Sequence, residues 1–245
     1  MKKKQAIAFT QGSTKSTIKS ILTVCFVAVA AMSASAQKSV IEDAFSKYQI
    51  DTKLLDAEYL QQPTNYAYDM KQTLSAAGKE TVTVATFDPT RPKDEQWNVL
   101  SINGKAASKS DVNSFRKTRE KPAETNRADD ATYKIDKETA DYLVISFKLD
   151  PSSLPKEASF MKDCRMVMTI NLKTKRLEKT QAFNEKPVRI KILTADKFEL
   201  TVKHVWNDQA QRYFTTGDDL NMLAKFIGQE TNVRTTSEYS NFAKK

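Results

Sequence analysis

Apolar and polar positions alternate with a period of two over most of residues 37–245, which predicts β-strands. The segment before these strands differs, because apolar residues recur there at helical spacing over 39–48. A second short helix is predicted over 54–60, and Pro63 ends it. The pattern therefore predicts a helical start followed by a long series of strands.

The first predicted strands form a hairpin. An amphipathic strand is followed by a turn signal at 75–78 and by a β-branched strand over 81–87. Residues 88–92 form a predicted loop, and a third strand over 97–102 ends at the turn dipeptide Asn103–Gly104. The apolar face of the first strand carries Tyr66, Tyr68, Met70 and Leu74.

A helix is predicted over about 108–120, because Ser108 and Asp111 have the spacing of a capping box. The polar and charged segment that follows, 120–137, predicts a loop. A short helix or loop is predicted over 151–157, whereas 220–227 fits either a strand or a helix.

Alternation is clearest in the second half of the chain, where four runs of apolar residues predict strand faces. These runs are Leu143, Ile145, Phe147 and Leu149; Met166, Met168, Ile170 and Leu172; Val188, Ile190 and Ile192; and Phe198, Leu200, Val202, His204 and Trp206. The last strands are predicted over 211–216 and 233–242. Turns are predicted at 173–175, 195–196, 207–208 and 217–219.

These elements predict a mainly β (α+β) fold with about nine to eleven antiparallel strands in meander order, and a sheet of that size tends to curl. We expect a curved, half-open β-barrel, with an N-terminal helix and inserted helices over the concave face. A flat β-sandwich is the alternative, but the helices fit it less well. Residues 37–245 are expected to form a single domain.

Residues 1–36 have the three parts of a cleavable signal peptide. Five lysines precede an apolar run over 21–32, and small residues at Ala34 and Ala36 allow cleavage after Ala36. The apolar run is shorter than the roughly 20 residues that a spanning helix needs. Lipid attachment at Cys25 is not expected, because the bulky Val24 precedes it. We expect an exported chain that starts at Gln37, lies in the periplasm and has no transmembrane segment.

Removal of this peptide changes the charge of the chain. The 245 residues carry a formal net charge of +9, and loss of five lysines with no acidic residue leaves +4. A nucleic-acid partner is therefore not expected. Cys164 is the only cysteine left, so the exported chain has no internal disulfide and folds by burying its strand faces.

The sequence contains few candidates for chemistry, and no catalytic residue, metal or cofactor is expected. The single histidine, His204, lies on an apolar strand face and is interpreted as a core residue. Cys164 is interpreted as a small residue at the start of a strand, although Arg165 beside it could lower its thiol pKa. Two acidic pairs, Asp129–Asp130 and Asp218–Asp219, are interpreted as solvated or capping groups. The triplet Arg212–Tyr213–Phe214 could bind an anion, but a strand with one exposed side explains it better.

Large apolar and aromatic side chains on the strand faces are the remaining feature. They either fill a core or line a cavity for an acyl chain or another hydrophobic ligand, a role that suits flexible methionine side chains. The candidates for such a cavity are Tyr66, Tyr68, Met70, Trp97, Phe147, Met166, Met168, Phe198 and Trp206.

One stretch also resembles a known family. The run Phe87-Asp-Pro-Thr-Arg-Pro92, then Trp97-Asn-Val-Leu-Ser-Ile-Asn-Gly104 and a helix ending near Phe115-Arg-Lys117, resembles uncharacterised exported proteins with the LolA/LolB-like half-barrel fold of periplasmic lipoprotein carriers. The resemblance extends over most of 38–242 and carries no functional residues with it. It implies a carrier, an envelope-stress sensor or a lipid-binding protein, and a fold alone does not choose among them.

The leading expectation is a non-enzymatic periplasmic carrier or binding protein, with a lipid or a lipoprotein acyl chain as its ligand. The alternative is a sensor or interaction module that binds another envelope protein. An enzyme that uses His204, Cys164 or Asp218 is the third hypothesis.

Overall fold

The computed structural model describes residues 37–119, 126–226 and 229–245. The predicted signal peptide, Cys25 and the first part of the predicted loop lie outside the described residues. Helix α1 covers residues 37–48, and helix α2 covers Lys109–Arg119. Short 3-10 helices cover Thr52–Leu55, Ala57–Leu60, Asp130–Thr132, Pro151–Ser153 and Lys156–Asp163.

The described residues also form twelve strands. These are β1 Tyr66–Ala76, β2 Lys79–Phe87, β3 Trp97–Ile102, β4 Lys105–Ala106, β5 Lys134–Glu138, β6 Tyr142–Phe147, β7 Cys164–Asn171, β8 Arg176–Asn184, β9 Val188–Ile190, β10 Leu193–Asn207, β11 Arg212–Phe226 and β12 Gln229–Lys244.

All twelve strands belong to one antiparallel sheet, in the order β4-β3-β2-β1-β12-β11-β10-β8-β7-β6-β5, with β9 paired to β10 beside this path. The prediction of a mainly β fold with an open antiparallel sheet is confirmed. Its order is not a simple meander, because β1 pairs with β12 in the middle of the sheet. The sheet is not closed, and β4 and β5 are its two edge strands. After β4 the chain leaves the sheet and forms α2.

Local signals predicted several elements correctly. The β1–β2 hairpin turns at Ala77 and Gly78 with φ of 50° and 74°, a left-handed conformation that favours glycine. Helix α2 begins with the predicted capping box, in which the Asp111 amide donates to Ser108 Oγ at 3.2 Å and the Ser108 amide donates to Asp111 Oδ2 at 3.0 Å. The ambiguous segment 220–227 is part of β11 as far as Phe226.

The predicted helix over 54–60 is two 3-10 turns separated at Asp56. This residue has an extended backbone, and its carboxylate accepts the Glu58 amide at 2.9 Å, so it ends one turn and caps the next. We call residues 52–63 the strap, since they connect α1 to β1 and pack over the sheet.

Strand β8 is missing from the sequence prediction because a β-bulge hides it. Leu177 and Ala182 are both buried although they are five residues apart, which breaks the alternation. Pairing with β7 jumps from Leu177 to Lys179, so Glu178 is the extra residue that reverses the two faces of the strand.

The predicted loop over 120–137 is wrong for residues 134–137, which belong to edge strand β5 (Lys134–Glu138) and pair with β6. Four of its five residues are exposed. An edge strand pairs on one side only and tolerates charge along its length, so apolar alternation does not reveal it.

Two predicted turns also lie inside strands. Residues 195–196 belong to β10, where the pairing register shifts between Ala195 and Lys197, and the actual turn lies at Lys191 and Ile192. The sequence 217–219 continues β11, and a Cβ on Gly217 would lie 3.0 Å from the Ser237 carbonyl oxygen. Glycine therefore permits close approach of β12 there and does not form a turn.

The buried residues form three clusters along the sheet. Helix α1 and the strap cover the largest, with Ile41, Phe45 and Leu54 packed against residues of β6 to β8. A second cluster lies around Cys164 and Phe198 beneath the 3-10 helix Lys156–Asp163, and a third lies beneath α2. The separation of these clusters determines where an internal site can form.

Candidate functional site

The structure distributes the nine predicted cavity residues over several environments. Phe147, Met168 and Trp206 belong to the cluster under α1, Met166 and Phe198 to the second cluster, and Met70 and Trp97 to the cluster under α2. Tyr66 and Tyr68 belong to a row of aromatic rings, in which Tyr66 packs on Phe214 at 4.9 Å and Tyr68 stacks on Phe87 at 5.0 Å between ring centroids.

Only three of the nine line a common cavity, which we call the cleft. It encloses about 260 Å³ between the strap and strands β6 to β8. Phe147, Met166 and Met168 form its floor together with Thr180. The remaining apolar lining consists of Leu54, Leu55, Ala57, Leu60, Ala128, Leu149 and Met161.

Strand pairing explains why these floor residues meet. Phe147 and Met166 are direct partners on β6 and β7, and Met168 is the direct partner of Thr180 on β8. Residues that are opposite each other on neighbouring antiparallel strands point to the same face of the sheet. The floor is therefore a compact patch of two cross-strand pairs.

The strap forms the roof of the cleft and is attached to β11. The Arg212 guanidinium donates to the Gln61 carbonyl oxygen at 3.0 Å, and the Thr215 amide donates to Gln62 Oε1 at 2.8 Å. Tyr59 packs edge-on against Tyr213, with 6.0 Å between ring centroids. Leu54 is 2% exposed and belongs to the largest buried cluster, so the roof is held by apolar packing as well as by these polar contacts.

These contacts also account for the predicted basic-aromatic triplet. Arg212 fastens the strap, while Tyr213 and Phe214 are both buried on opposite sides of β11. The Tyr213 hydroxyl accepts the Leu177 amide at 3.0 Å. The triplet therefore joins three parts of the structure and does not present a half-exposed strand.

A larger polar cavity, which we call the basin, lies beside the cleft and encloses about 690 Å³. The two cavities share Leu55, Ala57, Asn126 and Ala128 as lining residues, so they adjoin along one side of the strap. The polar side chains around the basin are Lys38, Asp56, Glu58, Asn126, Arg127, Asp130, Tyr133, Asp150 and Ser153.

The two predicted acidic pairs have structural partners. Asp129 caps a 3-10 helix by accepting the Ala131 amide, and Asp130 forms an ion pair with Lys38 at 3.1 Å. Asp218 accepts the Tyr239 hydroxyl at 2.8 Å, and Asp219 pairs with Arg234 at 2.6 Å. The second pair lies within β11, where its two carboxylates point to opposite faces.

His204 lies on β10, next to the floor residue Thr180. Its Nε2 is 3.0 Å from the hydroxyl of Thr180, while its buried Nδ1 has no hydrogen-bond partner in the described part of the chain. Burial lowers the pKa of His204 to about 4, so the imidazole is neutral at pH 7. The interpretation as a core histidine fits this placement, but only one ring nitrogen is bonded.

Cys164 is fully buried, and burial raises the pKa of its thiol to about 11. The neighbouring Arg165 does not activate it, because the guanidinium pairs with Glu185 at 2.7 Å. The thiolate that reactive cysteines require is therefore disfavoured here.

Within 37–119, 126–226 and 229–245, no three histidine, cysteine or acidic side chains are grouped so that they could ligate a metal ion. No helix in these ranges combines the length and apolar character required to cross a membrane.

The sequence did not indicate the roof of the cleft. Leu54, Leu55 and Leu60 were assigned only to a helix, and Asn126 and Ala128 lie in the segment predicted as a loop. The leucine spacing within the strap was the available signal, since it marks one apolar side of an otherwise polar segment.

Comparison with known proteins gives no assignment. No family model matches the chain, and a search of curated proteins finds no match. The resemblance to LolA/LolB-like proteins therefore stays a prediction.

Proposed function

We propose that this chain is a non-enzymatic periplasmic carrier or binding protein, which holds a hydrophobic group such as a lipid or lipoprotein acyl chain in the cleft. The observation that carries the proposal is the apolar floor of Phe147, Met166 and Met168 beneath a leucine-rich strap. The signal-peptide pattern and the LolA/LolB-like resemblance support the periplasmic location.

The dimensions of the cleft agree with this use. Its 260 Å³ is slightly below the range of about 300–1,000 Å³ that ligand pockets occupy, so it accommodates only part of a chain. Met161, Met166 and Met168 supply adaptable side chains that can follow an irregular ligand.

Replacing Met166 with glutamine is expected to weaken binding of a hydrophobic probe about tenfold. The substitution keeps a long side chain but places an amide in the apolar floor, which costs roughly 1–2 kcal/mol on ligand binding because the amide loses water. The measurement is a fluorescence titration with N-phenyl-naphthylamine, followed by displacement with a fatty acid.

Leu100→Gln is the matched control. Leu100 lies on β3, is 49% exposed and is remote in the sheet from the cleft, so this variant should bind the probe like the unmodified protein. Equal affinities for all three proteins would contradict the proposal. Capture of one envelope protein that is unaffected by Met166→Gln would instead favour the sensor or interaction module.

A further inference from the structure

A small cavity, which we call the arginine pocket, lies between α2, the end of β2 and the loop that precedes β3. It encloses about 70 Å³ and shares no lining residue with the cleft. Four of its seven lining side chains are charged, namely Lys93, Asp94, Arg116 and Arg119. We propose that this pocket binds a phosphate group through Arg116 and Arg119. The inference goes beyond the proposed function and does not depend on it.

Arg119 is half-buried in surroundings that do not balance its charge. Its guanidinium lies over the rings of Trp97 and Phe115, with 5.4 Å and 5.3 Å between Cζ and the ring centroids. Its Nη2 atom donates to Sδ of Met70 at 3.4 Å, and Met70 is only 1% exposed. A thioether is a weak acceptor, and a partly buried charge is costly unless it is paired. The contacts of Arg119 therefore hold the guanidinium in place and leave its charge uncompensated.

Arg116 supplies a second guanidinium to the same pocket. It precedes Arg119 by three residues on α2, so the two side chains lie on the same side of the helix. Arg116 Nε donates to the Trp97 carbonyl oxygen at 2.8 Å, which orients the group. Among the described residues, the contacts of the two arginines are with a carbonyl oxygen, a sulfur atom and two rings, and not with a carboxylate. Their remaining N–H groups are available to an anion.

The size and charge of the arginine pocket favour a phosphate group. Its 70 Å³ equals the volume of about two water molecules at ~30 Å³ each, so it holds a group of a few heavy atoms and excludes an acyl chain. A guanidinium binds phosphate through paired hydrogen bonds, and a phosphate has enough oxygen atoms for two such forks, whereas a carboxylate fills only one. Lys93 adds a third positive charge, and Asp94 is the one acid in the lining.

The test is a calorimetric titration of the protein with inorganic phosphate in Tris chloride buffer at low salt, with acetate as the comparison anion. We expect Arg116→Gln and Arg119→Gln each to weaken phosphate binding about tenfold, because each removes charged hydrogen-bond donors. Lys117→Gln is the matched control, since it removes the same charge from an exposed position on α2 outside the pocket and should change the affinity by less than about twofold. No residue of α2 is buried, so the variants should keep the fold, which circular dichroism checks.

A second titration, with dihexanoyl phosphatidic acid below its critical micelle concentration, distinguishes a lipid head group from free phosphate. Tighter binding of the lipid identifies a head group and equal binding identifies the free anion, and in both cases Arg119→Gln must weaken the binding. Met166→Gln should leave phosphate binding unchanged, so a failure of the proposed function would not affect this result. The inference would be overturned if neither compound binds, if acetate binds as tightly as phosphate, or if Lys117→Gln weakens binding as much as Arg119→Gln does.

Discussion

Replacing Phe45 with alanine is expected to lower the free energy of unfolding by about 3–5 kcal/mol. Phe45 is 0% exposed and joins α1 to the largest buried cluster, next to Ile41 and Leu54. The loss combines the transfer of a buried ring to water with the cavity left behind. Because domains are stable by only about 5–15 kcal/mol, the variant should be close to unfolding at 37 °C.

Urea unfolding, followed by the fluorescence of Trp97 and Trp206, measures this effect. Val40→Ala on the same helix is the control, since Val40 is 52% exposed and its loss should change the free energy by no more than about 0.5 kcal/mol. Equal midpoints for the two variants would show that α1 does not hold the largest cluster together.

Lowering the pH from 7 to 5 is expected to reduce stability by about 2 kcal/mol through His204 alone. Burial lowers the pKa of His204 to about 4 in the folded chain, below the ordinary value of 6.5. Between these values the unfolded chain binds a proton that the folded chain does not. This stabilisation is therefore complete above about pH 6.5 and is lost as the pH falls toward 4.

Comparison with His204→Gln isolates this effect, because glutamine has no titratable group and can still bond Thr180. The difference in unfolding free energy between pH 7 and pH 5 should be about 2 kcal/mol smaller in the variant. Asp111, Asp150 and Asp219 have pKa values below the ordinary range, so their contributions are largely retained at pH 5. Parallel pH profiles for the two proteins would contradict a buried, neutral imidazole.

Local signals were sufficient where one short segment determines its own structure. The capping box at Ser108 and the turn at Asn103–Gly104 were predicted correctly because nearby backbone and side-chain groups decide them. Strand β8 escaped prediction because a single extra residue at Glu178 exchanges its faces. A bulge is defined by how a strand pairs with its neighbour, and the apolar pattern within a single strand does not reveal that pairing.

The candidate site was predictable only in part, for a related physical reason. Alternation assigned Phe147 to one apolar strand face and Met166 and Met168 to the next, and the structure places the three together on the floor of the cleft. Met70 and Phe198 have the same kind of pattern, but different helices cover them, so they fill separate clusters. Which element covers which part of the sheet is set by long-range packing.

The central claim is that the cleft holds a hydrophobic ligand, and native mass spectrometry of the protein, purified without detergent from the cells that make it, tests this claim most directly. We expect the mass of a chain that starts at Gln37 plus the mass of one bound lipid-like molecule. This molecule should be largely absent from the Met166→Gln variant and retained by the Leu100→Gln variant. Folded protein without bound ligand, or a ligand retained equally by both variants, would contradict the account.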